Sequence, residues 1–323
     1  MNLPSKVNEI NYLKKEDKGC TLYSYSKKNT IIIVARLDDF EIPHDFFVDD
    51  KAINMINLLS PIKSIKIDDN CMTIKGAKGS YKARFIEGII TLPNLNFNDY
   101  VSIEMDRLKI ANKFVSTKDT RPILTGVNVN LNGNICATDS YMAYRYISGK
   151  TIEESKSGKS ITIHKSFIDY IGSLFDKEVD IYFNENTCMV SKENVYYISR
   201  LLSGIYPDID RIYNSVKKLT KITFDVKDLN EKLSIASILD FSSDYCVINF
   251  KNNTLNVKAE NPYNAEINVD YSNEYEFNIA MPRLKAVLSN IQKNEMVLDY
   301  EGTFKQLYVE ENRNEFVLLP MRV

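Results

Sequence analysis

The stretch Gly76-Ala77-Lys78-Gly79-Ser80 has the glycines, lysine and hydroxyl found in phosphate-cradling loops. Such a loop needs a strand before it and a helix after it, because backbone N–H groups and a helix N-terminus must meet the phosphate. Here the flanking residues alternate as in a hairpin, so the stretch is expected to be a polar turn. The five cysteines, Cys20, Cys71, Cys136, Cys188 and Cys246, are scattered without a CxxC pair and lie far from His44 and His164. That pattern predicts buried thiols in a reducing compartment and no metal site. Asp139 on its own reads as a turn or cap residue. The chain has no GxGxxG, GxSxG or HExxH pattern. A binding protein without catalytic residues or cofactor is therefore expected, and not an enzyme.

Cations are the next candidates. The net charge is only −2, but a local basic stripe steers nucleic acid better than global charge does. The segment 106–117 carries Arg107, Lys109 and Lys113 around an apolar stripe of Leu108, Ile110, Ala111, Phe114 and Val115. Lys109 and Lys113 are an i,i+4 pair on one helical face. Lys118 and Arg121 follow, and a later helical segment carries Arg283 and Lys285. For one helix such a stripe is ordinarily a solvated face. Recurrence on several helices points instead to sequence-blind phosphate contact.

The elements that position these residues repeat. Apolar residues at helical spacing predict helices over 51–59, 164–175 and 282–291, each followed by a hairpin. The turns are expected at Asp69-Asn70, Glu185-Asn186 and Glu301-Gly302. His164 and Met281 lie 117 positions apart, and the Asp69–Glu185 and Glu185–Glu301 offsets are both 116. Additional helices over 106–117 and 225–239 precede the strands of the second and third copies. Three similarly folded α+β domains are thus expected, 1–98, 99–215 and 216–323. The first is short: 6–15 is expected to be a short helix or irregular. Hydrophobic content is 44% and charged content 26%, ordinary for a globular protein. No apolar run is long enough to span a membrane, and the first residues lack a signal-peptide pattern, so a cytoplasmic protein is expected.

Three stretches carry a family resemblance. One is Thr120-Arg121-Pro122-Ile123-Leu124-Thr125-Gly126-Val127, leading to Cys136-Ala137-Thr138-Asp139-Ser140. Another is Ser199-Arg200-Leu201-Leu202-Ser203-Gly204-Ile205-Tyr206-Pro207-Asp208. The last is the tail from Val317 to Val323. In this order and spacing the chain resembles the bacterial DNA polymerase III beta subunit, the DNA sliding clamp. The resemblance covers the second and third domains; the first matches in strand pattern and in Leu92-Pro93-Asn94-Leu95.

The resemblance implies three clamp-type domains with helices packed on antiparallel sheet. They assemble as a head-to-tail homodimer ring around double-stranded DNA and tether a DNA polymerase. A clamp loader opens the ring. Partners insert short linear peptides into a hydrophobic cleft. By residue matching, that cleft takes Leu124, Thr138, Ser140, Pro207, Arg211, Ile212, Val317, Leu318, Leu319, Pro320, Met321, Arg322 and Val323. The DNA-facing set is Arg107, Lys109, Lys113, Lys118, Arg121, Arg283 and Lys285. Ile238, Leu239 and Tyr81 match the subunit interface. After Ala-Thr-Asp-Ser/Gly the family often carries His-Arg-Leu, whereas this chain has Tyr141-Met142-Ala143 and reads as one residue shorter. An accessory adaptor of the same fold that binds replication proteins without encircling DNA is the other reading.

Overall fold

A computed structural model describes residues 10–26, 31–38, 40–59, 61–88, 91–118, 120–151, 158–215, 220–239, 245–251, 254–258, 264–268, 275–292, 295–299 and 306–320. The chain forms two compact units, one of residues 1–103 with 166–201, the other of 104–165 with 202–323.

The first unit begins with β1 (Ile10–Lys15), β2 (Cys20–Tyr25), β3 (Ile31–Leu37) and β4 (Phe46–Val48). The segment expected to be helical or irregular thus ends as a strand. Asn11 and Leu13 point inward and are fully buried, and β1 pairs with β2 from Ile10↔Tyr25 to Lys15↔Cys20. A period of two therefore wins over local helix propensity. Helix α1 (Asp50–Leu58) follows, started by the Asp49 carboxylate accepting from the Ala52 N–H. It buries Ala52, Ile53 and Ile56 against Met72, Ile74 and Ala83 of the three-stranded sheet β5 (Ile62–Asp68), β6 (Cys71–Gly76) and β7 (Gly79–Arg84). The glycine-rich stretch at 76–80 joins β6 to β7 as a hairpin turn.

Strands β13 (Glu178–Phe183), β14 (Thr187–Lys192) and β15 (Val195–Arg200), together with β8 (Asp99–Glu104), complete an eight-stranded sheet in the first unit. Its order is β4-β1-β2-β3-β15-β14-β13-β8, and α3 (Lys165–Gly172) belongs to the same unit. The second unit has an eight-stranded sheet ordered β12-β9-β10-β11-β23-β22-β21-β16. Its strands are β9 (Gly126–Asn130), β10 (Ile135–Thr138), β11 (Met142–Tyr146), β12 (Ser160–His164), β16 (Thr220–Thr223), β21 (Glu295–Asp299), β22 (Gln306–Glu311) and β23 (Asn314–Leu318). A four-stranded sheet, β19-β18-β17-β20, uses β17 (Tyr245–Lys251), β18 (Thr254–Lys258), β19 (Asn264–Asn268) and β20 (Tyr275–Ala280).

The helices of the second unit are α2 (Met105–Ala111), α4 (Asp210–Ser215), α5 (Val226–Leu239) and α6 (Met281–Leu288). Helix α2 is shorter than the pattern over 106–117 suggests. After Ala111 the chain turns, and Phe114 and Val115 are buried from that turn rather than from the helix. Phe114, Tyr144 and Phe316 form a buried aromatic trio with centroids 5.4–5.6 Å apart, fixing β11 and β23 beneath α2. Pro122 starts a 3-10 turn over Pro122–Thr125.

One element order recurs: a strand, a helix, four strands, a helix and three strands. It runs from β8 to β15 and again from β16 to β23. The described residues before β8 follow it from the third step on. The segment 99–215 gives β8, α3 and β13–β15 to one unit and α2 and β9–β12 to the other. The turn expected at Glu301-Gly302 lies outside the described residues.

Candidate functional site: an apolar strip across a strand seam

In the second unit, β11 and β23 pair antiparallel from Met142↔Leu318 to Tyr146↔Asn314. Alternation sends Tyr144 and Phe316 to the α2 side and Ala143, Arg145, Glu315 and Val317 to the other. On that other face lies α4, which sequence periodicity could not reveal because it has only six residues, DRIYNS. Ile209 and Tyr213, both buried, pack on Ala143, Tyr308 and Val317. Cys136, Tyr206, Ile212 and Leu319 are half-buried around them.

A polar latch holds α4 there. The Arg145 guanidinium donates to Glu315 Oε2 at 2.5 Å and to Asp210 Oδ1 at 2.7 Å, and it stacks 4.2 Å from the Tyr213 ring centroid. The Tyr308 hydroxyl donates to Glu315 Oε1 at 2.8 Å, and the Tyr213 hydroxyl to the Glu315 carbonyl at 3.0 Å. Burial alone would lower the Arg145 pKa. The hydrogen bonds and charges of Glu315 and Asp210 outweigh it and hold the guanidinium above its ordinary value. Burial, reinforced by the Glu315 charge, pushes the Tyr213 and Tyr308 phenols up. Burial also pushes the Cys136 thiol up to about 12.

One end of the strip is made by the turn between β10 and β11. Tyr206 supplies a hydroxyl that accepts from the Thr138 N–H at 3.1 Å and donates to the Gly126 carbonyl at 3.3 Å. Gly126 has no room for a side chain: a Cβ there would stand 2.6 Å from the Ile163 carbonyl oxygen. The Thr138 hydroxyl donates to the Met142 carbonyl at 2.7 Å and accepts from the Ser140 N–H. After β23 the Leu319 N–H donates to the Tyr141 carbonyl at 2.8 Å, drawing the chain end across the same turn.

Of the expected cleft set, Ile212, Val317 and Leu319 meet in this strip, with Thr138 bonded at its end. Leu124, Thr138, Val317 and Leu318 are buried, Ile212, Leu319 and Pro320 are half-buried, and Ser140, Pro207 and Arg211 are exposed. Met321, Arg322 and Val323 lie outside the described residues. Sequence reasoning passed over Arg145, Asp210, Glu315, Tyr213, Tyr206 and Tyr141. Arg145 and Glu315 meet only through strand pairing across 170 positions, which leaves no local signal. Tyr206 and Ile205 lie inside the Ser199–Asp208 motif, and Ile205 is 96% exposed.

Three of the seven cations expected to face DNA are tied locally. Arg107 reaches Glu104 Oε2 at 3.2 Å and stacks 4.9 Å from the Tyr146 ring centroid. The Lys113 ammonium donates to Asn290 Oδ1 at 3.1 Å. Arg283 on α6 forms an ion pair with Asp139 at 2.7 Å. Lys109 is half-buried on α2, Lys285 sits in the last turn of α6, and Lys118 and Arg121 are exposed. Of the interface set, Ile238 is exposed near the end of α5 and Tyr81 packs on the α1 core from β7; the Leu239 side chain is outside the description. Among the described residues no group of three or more His, Cys, Asp or Glu has metal-holding geometry. No helix among them is long and apolar enough to cross a membrane.

Comparison with known proteins agrees with this architecture. Residues 103–208 match the model of the DNA polymerase III beta subunit, central domain. The chain is 28% identical over 262 residues to the beta sliding clamp of Staphylococcus aureus (strain Mu50 / ATCC 700699), covering 72% of this chain and 66% of that protein. The chain thus spans just under two thirds of that relative's length. The Staphylococcus epidermidis beta sliding clamp matches with the same identity over 261 residues. Among solved structures, the DNA polymerase III subunit beta of Pseudomonas aeruginosa superposes with TM-score 0.80 at 18% identity, covering 98% of this chain and 93% of that one. The Bacillus subtilis DNA polymerase sliding clamp gives TM-score 0.79 at 19% identity, covering 97% and 91%. These likenesses establish the fold.

Proposed function

We propose that the chain belongs to the DNA polymerase III beta-subunit family and is a DNA sliding clamp. Two copies close head to tail around duplex DNA in the cytoplasm, without sequence preference. The polymerase and the clamp loader dock short linear peptides on the strip at the β11·β23 seam. The protein is a processivity factor: topology and effective concentration hold the polymerase at its template, and no reaction is catalysed.

One observation carries the ring. Each eight-stranded sheet is sewn by repeat-equivalent strands, β3 with β15 and β11 with β23. The third equivalent pair is β19 and β7, and among the described residues each pairs on one side alone. A head-to-tail dimer makes that third seam twice and closes. Inward parity supports the register. Ala265 and Ile267 are buried on β19, while Ala83 is buried and Tyr81 faces the core on β7. Ile267 then lies opposite Tyr81, and exposed Glu266 opposite exposed Lys82, which makes a cross-strand charge pair. Ile238, exposed near the end of α5, adds apolar area beside it.

For DNA, the proposed contacts are Lys109, Lys113, Lys118, Arg121 and Lys285, with Arg107 and Arg283 contributing less because carboxylates already hold them. They meet phosphates rather than bases, so binding weakens steeply with salt.

The test is topological. The protein is loaded on a nicked circle, and the circle is then linearised. Release is expected; retention after linearisation overturns the encircling reading. Glu266→Lys and Lys82→Glu should each weaken the dimer about fivefold, with the double exchange restoring it. A double variant no tighter than the singles rejects the β19·β7 register.

Among the described residues the β5–β7 sheet has three strands, whereas β8 and β16 add a fourth to its equivalents, and this favours a second reading. In it the chain is an adaptor that binds the same peptides without closing. A monomeric mass at micromolar concentration, with peptide binding intact, would establish that reading.

A further inference from the structure

The turn at 139–141 is held from three sides. Asp139 Oδ1 accepts the N–H groups of Tyr141 and Met142, both at 2.8 Å. Its other oxygen takes the Arg283 Nε–H at 2.7 Å, and the Asp139 side chain is only 12% exposed. Ser140 between them has φ +81°, a left-handed conformation that a side-chain-bearing residue adopts only under constraint. The Tyr141 carbonyl holds Leu319 at the strip's end. The Arg283 guanidinium, 4.4 Å from the Tyr141 ring centroid, covers one face of that ring, and Tyr141 is 51% exposed.

An aromatic ring backed by a cation is fixed in place with one face open. Arg283 occupies the electron-rich face and would repel a second cation, so the open face suits a neutral planar side chain. We propose that Arg283 is a positioning residue of the peptide strip, which sets Tyr141 as a stacking platform for an aromatic side chain of the docked partner peptide. The inference rests on the strip being the peptide site and deepens that reading. Sequence reasoning put Arg283 among the DNA contacts; the ion pair with Asp139 gives its guanidinium a second role.

The test uses fluorescence anisotropy with two labelled hexapeptides of serine and leucine. One carries a single phenylalanine, and its twin carries cyclohexylalanine at that place. The wild-type chain should prefer the aromatic peptide by about threefold to tenfold. Arg283→Met should abolish the preference while leaving the twin's affinity within twofold, Arg283→Lys should restore most of it, and Tyr141→Ala should weaken both peptides to a common affinity. Equal weakening of both peptides by Arg283→Met, or no change in either, overturns the proposal while leaving the strip as the peptide site. That site is reported separately by Leu319→Ala, which should weaken both peptides. If the wild-type chain binds neither, the strip reading fails and this inference fails with it.

Discussion

The two eight-stranded sheets are sewn alike and finished differently. At the β3·β15 seam, the face turned away from α1 is crowded with large apolar and aromatic side chains. Tyr23, Val34 and Ile198 are buried, with Tyr12, Tyr25, Ile32 and Met189 packed around them. Val34 lies opposite Tyr196 and Ile32 opposite Ile198. The linker over this face adds a hydrogen bond from the Tyr25 hydroxyl to the Thr91 carbonyl at 2.9 Å, and its described residues hold no helix. At the β11·β23 seam the corresponding face has the small residues Cys136, Ala143 and Val317 beside a charged pair, Arg145 and Glu315. A short helix is latched on instead of a flush aromatic layer. One seam is closed by bulk; the other keeps apolar surface open by holding its cover with charge. That difference, not the topology, separates the proposed docking seam from its repeat-equivalent.

The largest break in this contrast comes from the latch. Arg145→Met leaves the Glu315 carboxylate, on a side chain only 11% exposed, without its counter-charge. Removing one partner of a buried pair costs about 3–5 kcal/mol, and the low end suits this site because Asp210 is well exposed. A fall in thermal midpoint and a loss of peptide binding are expected together. Replacing Glu315 by Met as well should recover most of the stability without recovering the helix position. A double variant as unstable as the single would mean that the pair does not act as one unit.

Next in size is Leu319→Ala. Leu319 is half-buried and edges the strip, so truncation should cut peptide affinity about tenfold while stability changes by about 1 kcal/mol or less. Ile198→Val at the other seam supplies the control. The residue is fully buried, and the lost methylene costs about 1 kcal/mol. Denaturant titration should register that change, whereas peptide affinity should stay as in the wild type. A drop in peptide affinity would show that both seams bind.

These contrasts explain which features the sequence could disclose. Helices α1, α3, α5 and α6 each carry an apolar stripe, and their spacing exposes them. The strand at 10–15 was obscured because Lys14, Lys15 and Asn11 dilute its alternation; pairing with β2 decides its conformation. Leu124, Thr138 and Val317 could be placed by motif resemblance. The latch could not, because a cross-strand ion pair between residues 145 and 315 exists only once two distant strands share a register. The Arg283–Asp139 pair hides the same way: Arg283 reads locally as an exposed charge and Asp139 as a turn or cap residue, and only packing reveals that they meet.

The smallest expected effect concerns two thiols. Cys136 lies in the latched seam and Cys188 on β14 beside the closed one, and burial pushes both thiols up to about 12. The folded chain therefore keeps protons that the unfolded chain gives up above about pH 9. Stability from these groups is fully present at neutral pH and declines as pH climbs past the ordinary thiol range toward 12. At pH 8 both should react slowly with iodoacetamide, since the neutral thiol is a poor nucleophile. The seams differ in what exposes them. Cys136 packs in the cluster under α4, so Arg145→Met should raise its labelling rate several-fold as the helix lifts, with Cys188 unchanged. Peptide mapping of the alkylated protein gives both rates in one experiment. Parallel acceleration of the two cysteines would mean that the variant unfolds globally and that the latch is not a local device of the second seam.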